Sequence, residues 1–203
     1  ILSDWQSISI TEAADQSPKF TVIEGRNSIY PRLKQMIEET KNQLSIIFTD
    51  QGLMRADQFG LLDIAFSHSS EKEMKFRFLT EVSKENLKTT KLLLARMLKT
   101  GARFEGRTPE LGLKLTLRML IRDDAEAAFF VSQEAYKEAS EIDDVCVWTN
   151  SSSIVNSFKA VFEDFWRNSI DLEKKILEIE TGKTASQTFV ISNEEPAKKE
   201  YIE

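Results

Sequence analysis

Cysteine and histidine are almost absent from this chain, one of each in 203 residues. A lone thiol permits no intrachain disulfide, which suits a reducing, cytoplasmic setting. Its place inside the apolar run Val145-Cys146-Val147-Trp148 makes Cys146 a buried structural residue rather than a nucleophile. One imidazole, His68, builds no His-rich metal cluster, and the chain has no CxxC pair, no GxxxxGKS/T phosphate loop and no GxSxG elbow. With only seven glycines there is no glycine-rich nucleotide lid, and no helix carries a suitable phosphoacceptor histidine, so a kinase core is not encoded here. No winged helix-turn-helix is recognisable at the amino end. No run of eighteen apolar residues and no signal peptide is visible, which argues against a membrane span. Positive charge is also in deficit. A net charge of −6 disfavours broad binding to nucleic acid or anionic membranes while leaving room for a local basic patch.

What is present reads as a globular protein. At 41% hydrophobic and 30% charged residues, the chain can bury one substantial core with at most a smaller addition. Residues 1–19 mix helical spacing (Leu2, Trp5, Ile8) with a linker-like Asp-Gln-Ser-Pro stretch. A first strand follows at 20–23, then a helix over 28–42 with Ile29, Leu33, Met36 and Ile37 on one face. Residues 44–48 are an uninterrupted apolar strand of the kind that a two-sided sheet buries. It runs into the loop Thr49-Asp50-Gln51-Gly52. A helix is expected at 55–68, a strand at 74–82, a capped helix from Ser83 to Leu98 ending at Gly101, a short strand at 102–106 and another at 145–149. Strands alternating with helices and then a hairpin make this an α/β chain, a mixed β-sheet with helices on both faces.

The hairpin occupies 115–132. Leu115, Leu117, Met119 and Ile121 alternate with Thr116, Arg118, Leu120 and Arg122, the acidic pair Asp123-Asp124 suits a tight reversal, and a second apolar run spans Ala127 to Val131. Strand, acidic turn, and strand ending in a small hydroxyl residue resembles the signature region of the phospholipase D superfamily, in which HxKxxxxD precedes a Gly-Ser or similar small pair. With Asp124 in the place of the family aspartate, Val131-Ser132 falls on the small pair, Leu117 on the catalytic histidine and Met119 on the lysine. Neither substitute supplies the nucleophile or the proton-handling partner, so the resemblance implies an inactive phospholipase D-like module.

Residues 150–181 lack glycine and proline and open with a Ser-rich cap. Val155, Phe158, Phe162, Phe165, Ser169, Leu172, Ile176 and Ile179 step by three and four, which predicts one long C-terminal helix over 151–182, about 45 Å in length. Its aromatic first half is expected to cover the sheet. The distal half, Leu172 to Ile179, either packs on a neighbouring segment or pairs with the same helix of another chain to give a homodimer. Beyond Gly182, Thr188-Phe189-Val190-Ile191-Ser192 echoes Phe20-Thr21-Val22-Ile23-Glu24, and each is followed by a polar break and a Pro-containing segment with Ile-Glu. The domain reading is therefore an amino-terminal linker or helix at 1–19, the α/β module at 20–150, the long helix at 151–182, and the start of a second, truncated module at 183–203. The chain begins without Met and reads as a piece cut from something larger.

Taken together, residues 20–182 resemble the phospholipase D-like input regions of archaeal signalling proteins, including cytoplasmic sensor histidine kinases and TrmB-type transcription regulators. This rests on the hairpin, on Val147-Trp148-Thr149-Asn150 leading into Phe162-Glu163-Asp164-Phe165-Trp166, and on the repeat. The resemblance implies a non-catalytic module that senses a small ligand or protein partner in the cytoplasm, with no cofactor and no direct contact with membrane or nucleic acid. Because open α/β sheets bind ligands at strand ends, the candidate ligand residues are Thr49, Asp50, Gln51, Thr80, Glu81, Arg118, Arg122, Thr149 and Asn150. Arg118 and Arg122, four apart on one strand, share a face and are either an anion clamp or solvated partners of Asp123, Asp124 and Glu126. Two rivals to a sensory module remain: a divergent phosphodiesterase, which the missing His and Lys oppose, and a purely structural dimerisation module.

Overall fold

Eight strands hydrogen-bond into one sheet in the order β1-β7-β6-β5-β2-β3-β4-β8. The computed structural model describes residues 17–72, 74–100, 104–109, 115–131 and 144–182. Along the chain they form β1 (Phe20–Glu24), α1 (Arg26–Glu38), β2 (Gln43–Ile47), α2 (Asp50–Gln58), α3 (Leu61–Lys72), β3 (Lys75–Leu79), α4 (Leu87–Thr100), β4 (Phe104–Pro109), β5 (Met119–Arg122), β6 (Glu126–Phe130), β7 (Val145–Thr149), α5 (Ser152–Arg167), β8 (Ser169–Asp171) and α6 (Leu172–Thr181). Strands β2, β3 and β4 run parallel, and every other pairing is antiparallel. This is the mixed α/β architecture that the strand and helix pattern implies.

Strand alternation sends side chains to two cores. Leu44 and Ile46 of β2, with Leu120, Ala128 and Cys146, meet α1, α3, α4 and α6 on one face. Ile47, Leu79, Met119, Ile121 and Ala127 meet Val155, Phe162 and Trp166 of α5 on the other. On that second face Arg77 is 7% exposed. Its guanidinium lies over the rings of Phe162 and Trp166 at 4.9 and 5.2 Å and donates to Glu163 Oε1 at 2.5 Å, so the charge enters the core with its counterion attached.

Several boundaries move for local reasons. The helix expected at 55–68 is two helices, because Gly60 sits in the left-handed region (φ 72°) and turns the chain between them. Thr49 to Gly52, expected as a loop, is the start of α2, with Thr49 Oγ1 accepting from Gly52 N at 3.0 Å as an N-cap. Strand β4 runs to Pro109 instead of ending at 106. The hairpin turn has positive φ at both central residues, Asp123 (50°) and Asp124 (54°), as a type I′ reversal demands. Asp123 also fastens the hairpin to the next strand, its carboxylate accepting from the backbone N–H of Lys41, Asn42 and Gln43 at 2.7–2.9 Å.

The single long helix over 151–182 does not form. Residues 169–171 leave the helical path and pair with β4, Ile170 opposite Thr108, which splits the stretch into α5 and α6. The edge of β4 offers unpaired backbone groups, and satisfying them outweighs continuing a helix through Asn168 and Ser169, both weak helix formers. Leu172 and Ile176, expected either on a neighbouring segment or against another chain, are 2% and 6% exposed and belong to the first core. Of the two alternatives for the distal half, Leu172 and Ile176 follow the first and pack within the chain, and β8 joins this stretch to the sheet. The truncated second module, Ser132 of the hairpin, and residues 1–16 of the amino-terminal segment lie outside the described residues.

Candidate functional site

One end of the sheet holds the carboxyl ends of β1, β2, β3 and β6 and the entries to β5 and β7. Here the chain gathers charge. Arg118 enters β5 only 4% exposed, its guanidinium 4.1 Å from the centre of the Phe130 ring. Asp144, immediately before β7, has a side chain 6% exposed and meets guanidiniums from three elements: Arg26 Nε at 2.7 Å, Arg118 Nη2 at 3.5 Å and Arg55 Nη1 at 3.9 Å. The pairing of β1 with β7 brings Arg26 there, and Gly25 N donates to Asp144 O at 2.9 Å. Burial raises the Asp144 pKa, but the Arg26 hydrogen bond and the surrounding guanidiniums reverse this and hold it below the ordinary carboxylate range.

Beside this cluster lies a cavity of about 30 Å³, lined by Tyr30, Phe48, Ala56, Arg118 and Phe130 among others. That is room for one or two waters. Burial, and then the charge of Asp144, push the Tyr30 phenol up to about 12, against the pull of the arginines. The hydroxyl therefore stays protonated, and able to donate, across the physiological range. Among the described residues that line the cavity, none is a nucleophile with an adjacent base.

The expected site residues divide between the two ends of the sheet. Thr49, Asp50, Gln51, Thr80, Glu81 and Arg118 lie at the end just described. Thr80 is fully buried with its N–H on Arg107 O at 3.0 Å, Gln51 N donates to Asp50 Oδ1 at 2.7 Å, and Glu81 accepts from Leu115 N. Arg122, Thr149 and Asn150 lie at the opposite end, since Arg122 pairs with Leu44 at the start of β2 and Thr149 with Phe20 at the start of β1. There Asn150 Oδ1 accepts from Lys19 N at 2.7 Å and Thr149 Oγ1 from Ser151 N at 3.0 Å. The arginine clamp is corrected accordingly. Arg118 and Arg122 share a face but sit about 13 Å apart along β5. Different carboxylates claim them, Asp144 for the first, and Glu126 (3.0 Å) and Glu39 (3.2 Å) for the second. Arg26, Tyr30, Arg55, Phe130 and Asp144 were not among the expected residues. The strand-end rule that found Thr49 and Thr80 reaches Arg26 and Asp144 when applied to the exit of β1 and the entry of β7.

Two of the positions that the resemblance gives to the phospholipase D signature, Leu117 and Met119, sit on the other face. Met119 is 2% exposed in the α5-side core, and Leu117 packs against the same cluster. Asp124 is in the exposed turn, ion-paired with Lys159. His68 is far from all of these on α3, 8% exposed, its Nε2 bonded to Thr40 O at 2.7 Å. Among the described residues no group of three or more His, Cys, Asp or Glu is placed to hold a metal ion.

No protein-family model matches the sequence, and no curated protein sequence is significantly similar to it. Solved structures do match. Nuc, a phospholipase D family member from Salmonella typhimurium, superposes with a TM-score of 0.59 at 12% identity over 76% of this chain and 97% of its own. The fold is phospholipase D-like. NucT from Helicobacter pylori has a TM-score of 0.51 at 10% identity, covering 76% of this chain and 99% of that one. TrmBL2, an archaeal chromatin protein, has a TM-score of 0.57 at 22% identity over 76% of this chain, which spans 54% of TrmBL2. Among the described residues no helix is long and apolar enough to cross a membrane.

Proposed function

We propose that this phospholipase D-like chain binds rather than hydrolyses: it is the ligand- or partner-sensing module of a transcription regulator or a related signalling protein. One observation carries the reading. Leu117 and Met119 occupy the positions that the resemblance gives to the catalytic histidine and lysine, and Met119 is 2% exposed among apolar side chains. A thioether and an isobutyl group neither attack phosphorus nor hold a proton. The likeness to TrmBL2, a chromatin protein whose structure shows a mode of DNA binding, favours a regulatory parent over a sensor histidine kinase. DNA contact would belong to another part of such a parent, because this chain carries a net charge of −6.

The sensing end is the one that holds Thr49, Asp50, Gln51, Thr80 and Arg118, next to the Tyr30 cavity. The decisive experiment incubates the purified chain with bis(4-nitrophenyl) phosphate and follows nitrophenolate release against a protein-free control. No excess turnover is expected. Turnover that survives Asp124→Ala and is abolished by Arg118→Ala overturns the reading and makes the chain a divergent phosphodiesterase.

A further inference from the structure

The sheet ends on two unlike edges, β8 and β1. Strand β8 is three residues long, and its Asp171 pairs with Arg107 of the neighbouring strand, so it is short and charged in the way that discourages further pairing. Strand β1 has neither safeguard. Phe20 to Ile23 carry no charge, and Phe20 and Val22 are 58% and 61% exposed. Val22 lies beside Val147 and Phe20 beside Thr149, on the face whose other half α5 covers. At the end of β6, on the same face, Val131 is 54% exposed.

The backbone of this edge is equally specific. Gly25 N donates to Asp144 O at 2.9 Å and Lys19 N to Asn150 Oδ1 at 2.7 Å, so the odd-numbered residues aim their polar groups at β7. Because a strand alternates the two directions, the N–H and C=O groups of Phe20, Val22 and Glu24 aim away from the sheet, and no described residue bonds to them. The open stretch has fixed ends: Pro18 lacks an N–H, and Gly25 (φ 78°) turns the chain into α1. Such an edge fits an antiparallel strand with the same spacing of outward groups, and β1 is itself one. Set antiparallel about Val22, two copies place Phe20 opposite Glu24 and Val22 opposite Val22, so every outward N–H of one copy meets an outward C=O of the other. Moving the axis to Ile23 sets Phe20 against Arg26, already in α1, and moving it to Thr21 sets Glu24 against Pro18, so both of these registers lose bonds. Charge agrees with the Val22 register, since Glu24 faces Phe20 and the two Glu24 residues stay about 13 Å apart along the strands.

We propose that β1 is a self-association edge: two copies of the chain pair antiparallel through Phe20–Glu24 about a two-fold axis at Val22, joining their sheets into one. An antiparallel pair of identical strands closes on itself as a dimer, with no edge of this kind left over. The axis stands perpendicular to the sheet, so the ends that hold Arg118 and Tyr30 point in opposite directions. A contact of five residues a side is small, and the association is weak and reversible. The inference stands apart from the sensing reading and does not depend on what the Tyr30 cavity binds.

The test uses the 203-residue chain. In sedimentation velocity from micromolar to millimolar concentration, the wild type is expected to pass from the mass of one chain to that of two. Val22→Lys sets two ammonium groups face to face at the axis, at an exposed position where the fold tolerates it, and should raise the dissociation constant about tenfold or more, like charges directly opposite being unfavourable. A one-chain mass throughout that range overturns the proposal, as does a Val22→Lys protein that dimerises like the wild type. Cross-linking locates the contact independently. Residues opposed in a hydrogen-bonded antiparallel pair have Cα atoms about 5.5 Å apart, within disulfide reach. Under mild copper-phenanthroline oxidation Val22→Cys should therefore form an interchain disulfide about tenfold faster or more than Leu98→Cys, an equally exposed position on α4, while the native Cys146 stays buried. Equal rates for the two variants also overturn it.

Discussion

Asp144→Ala tests the charge cluster most directly. The carboxylate is 6% exposed and accepts from Arg26 at 2.7 Å, with Arg118 and Arg55 at 3.5 and 3.9 Å. Removing one partner of a buried ionic group costs about 3–5 kcal/mol, mostly because the remaining charge stays desolvated. Arg118 is held in that way, whereas the side chains of Arg26 and Arg55 are each 16% exposed and recover some hydration. The expected loss is therefore at the lower end, about 3 kcal/mol. For a chain of this size that is a fall in Tm of about 6–12 °C, or a drop in urea midpoint of about 1.5 M at a slope near 2 kcal/mol/M. Urea titrations followed by circular dichroism measure it, repeated from neutral to acid pH. Because the folded pKa of Asp144 lies below its unfolded value, the wild-type contribution is fully present above the unfolded pKa and fades as pH falls through the folded one. The variant should therefore lose less stability on acidification than the wild type. A loss under about 1 kcal/mol, the range of exposed ion pairs, or an identical acid limb in both proteins, refutes the view of Asp144 as the buried hub of this end of the sheet.

Three further outcomes are expected. Gly106→Ala should destabilise by about 1–3 kcal/mol, since a Cβ there would lie 2.5 Å from Leu172 Cδ1 and 2.6 Å from Phe78 Cζ; chemical denaturation measures it, and a neutral result would mean that α6 does not press on β4. Asp123→Ala removes three backbone hydrogen bonds from a left-handed turn position and should cost about 2 kcal/mol. Burial raises the Asp123 pKa but the three N–H groups lower it further, so this contribution too is lost as pH falls, which a thermal melt series from pH 7 downward would reveal. Finally, burial pushes the Cys146 thiol up to about 12. Ellman's reagent at pH 8 should leave it untouched in the native protein and titrate one thiol in denaturant, and prompt reaction of the native protein would contradict its placement in the core.

Much of the framework was legible from local pattern. The apolar run that became β2, the alternation that became β5, and Asp123-Asp124 at their reversal each announce themselves within a few residues, because side-chain period and turn chemistry are short-range properties. The aromatic half of α5 was legible for the same reason: Val155 and Phe162 are one helical face and do cover the sheet. The break at Asn168 was not. Ser169-Ile170-Asp171 contains one apolar residue and has no strand signature of its own, and it becomes a strand only because β4 presents an open edge beside it. Periodicity ran straight through it, since Leu172 and Ile176 keep the same spacing on either reading.

The site shows the same boundary. The family resemblance, and not composition or spacing, gives Leu117 and Met119 as the signature positions; what the strand alternation does make legible is that both side chains point to one face. Which residues face one another was decided by sheet order. Arg26 and Asp144 are 118 residues apart and meet because β1 lies against β7, while Arg118 and Arg122, four apart, are separated by the length of the strand that carries both. Nearest-neighbour chemistry determines elements, and the pairing of elements determines which charges share a pocket; the second depends on contacts distant in sequence, which no local window contains.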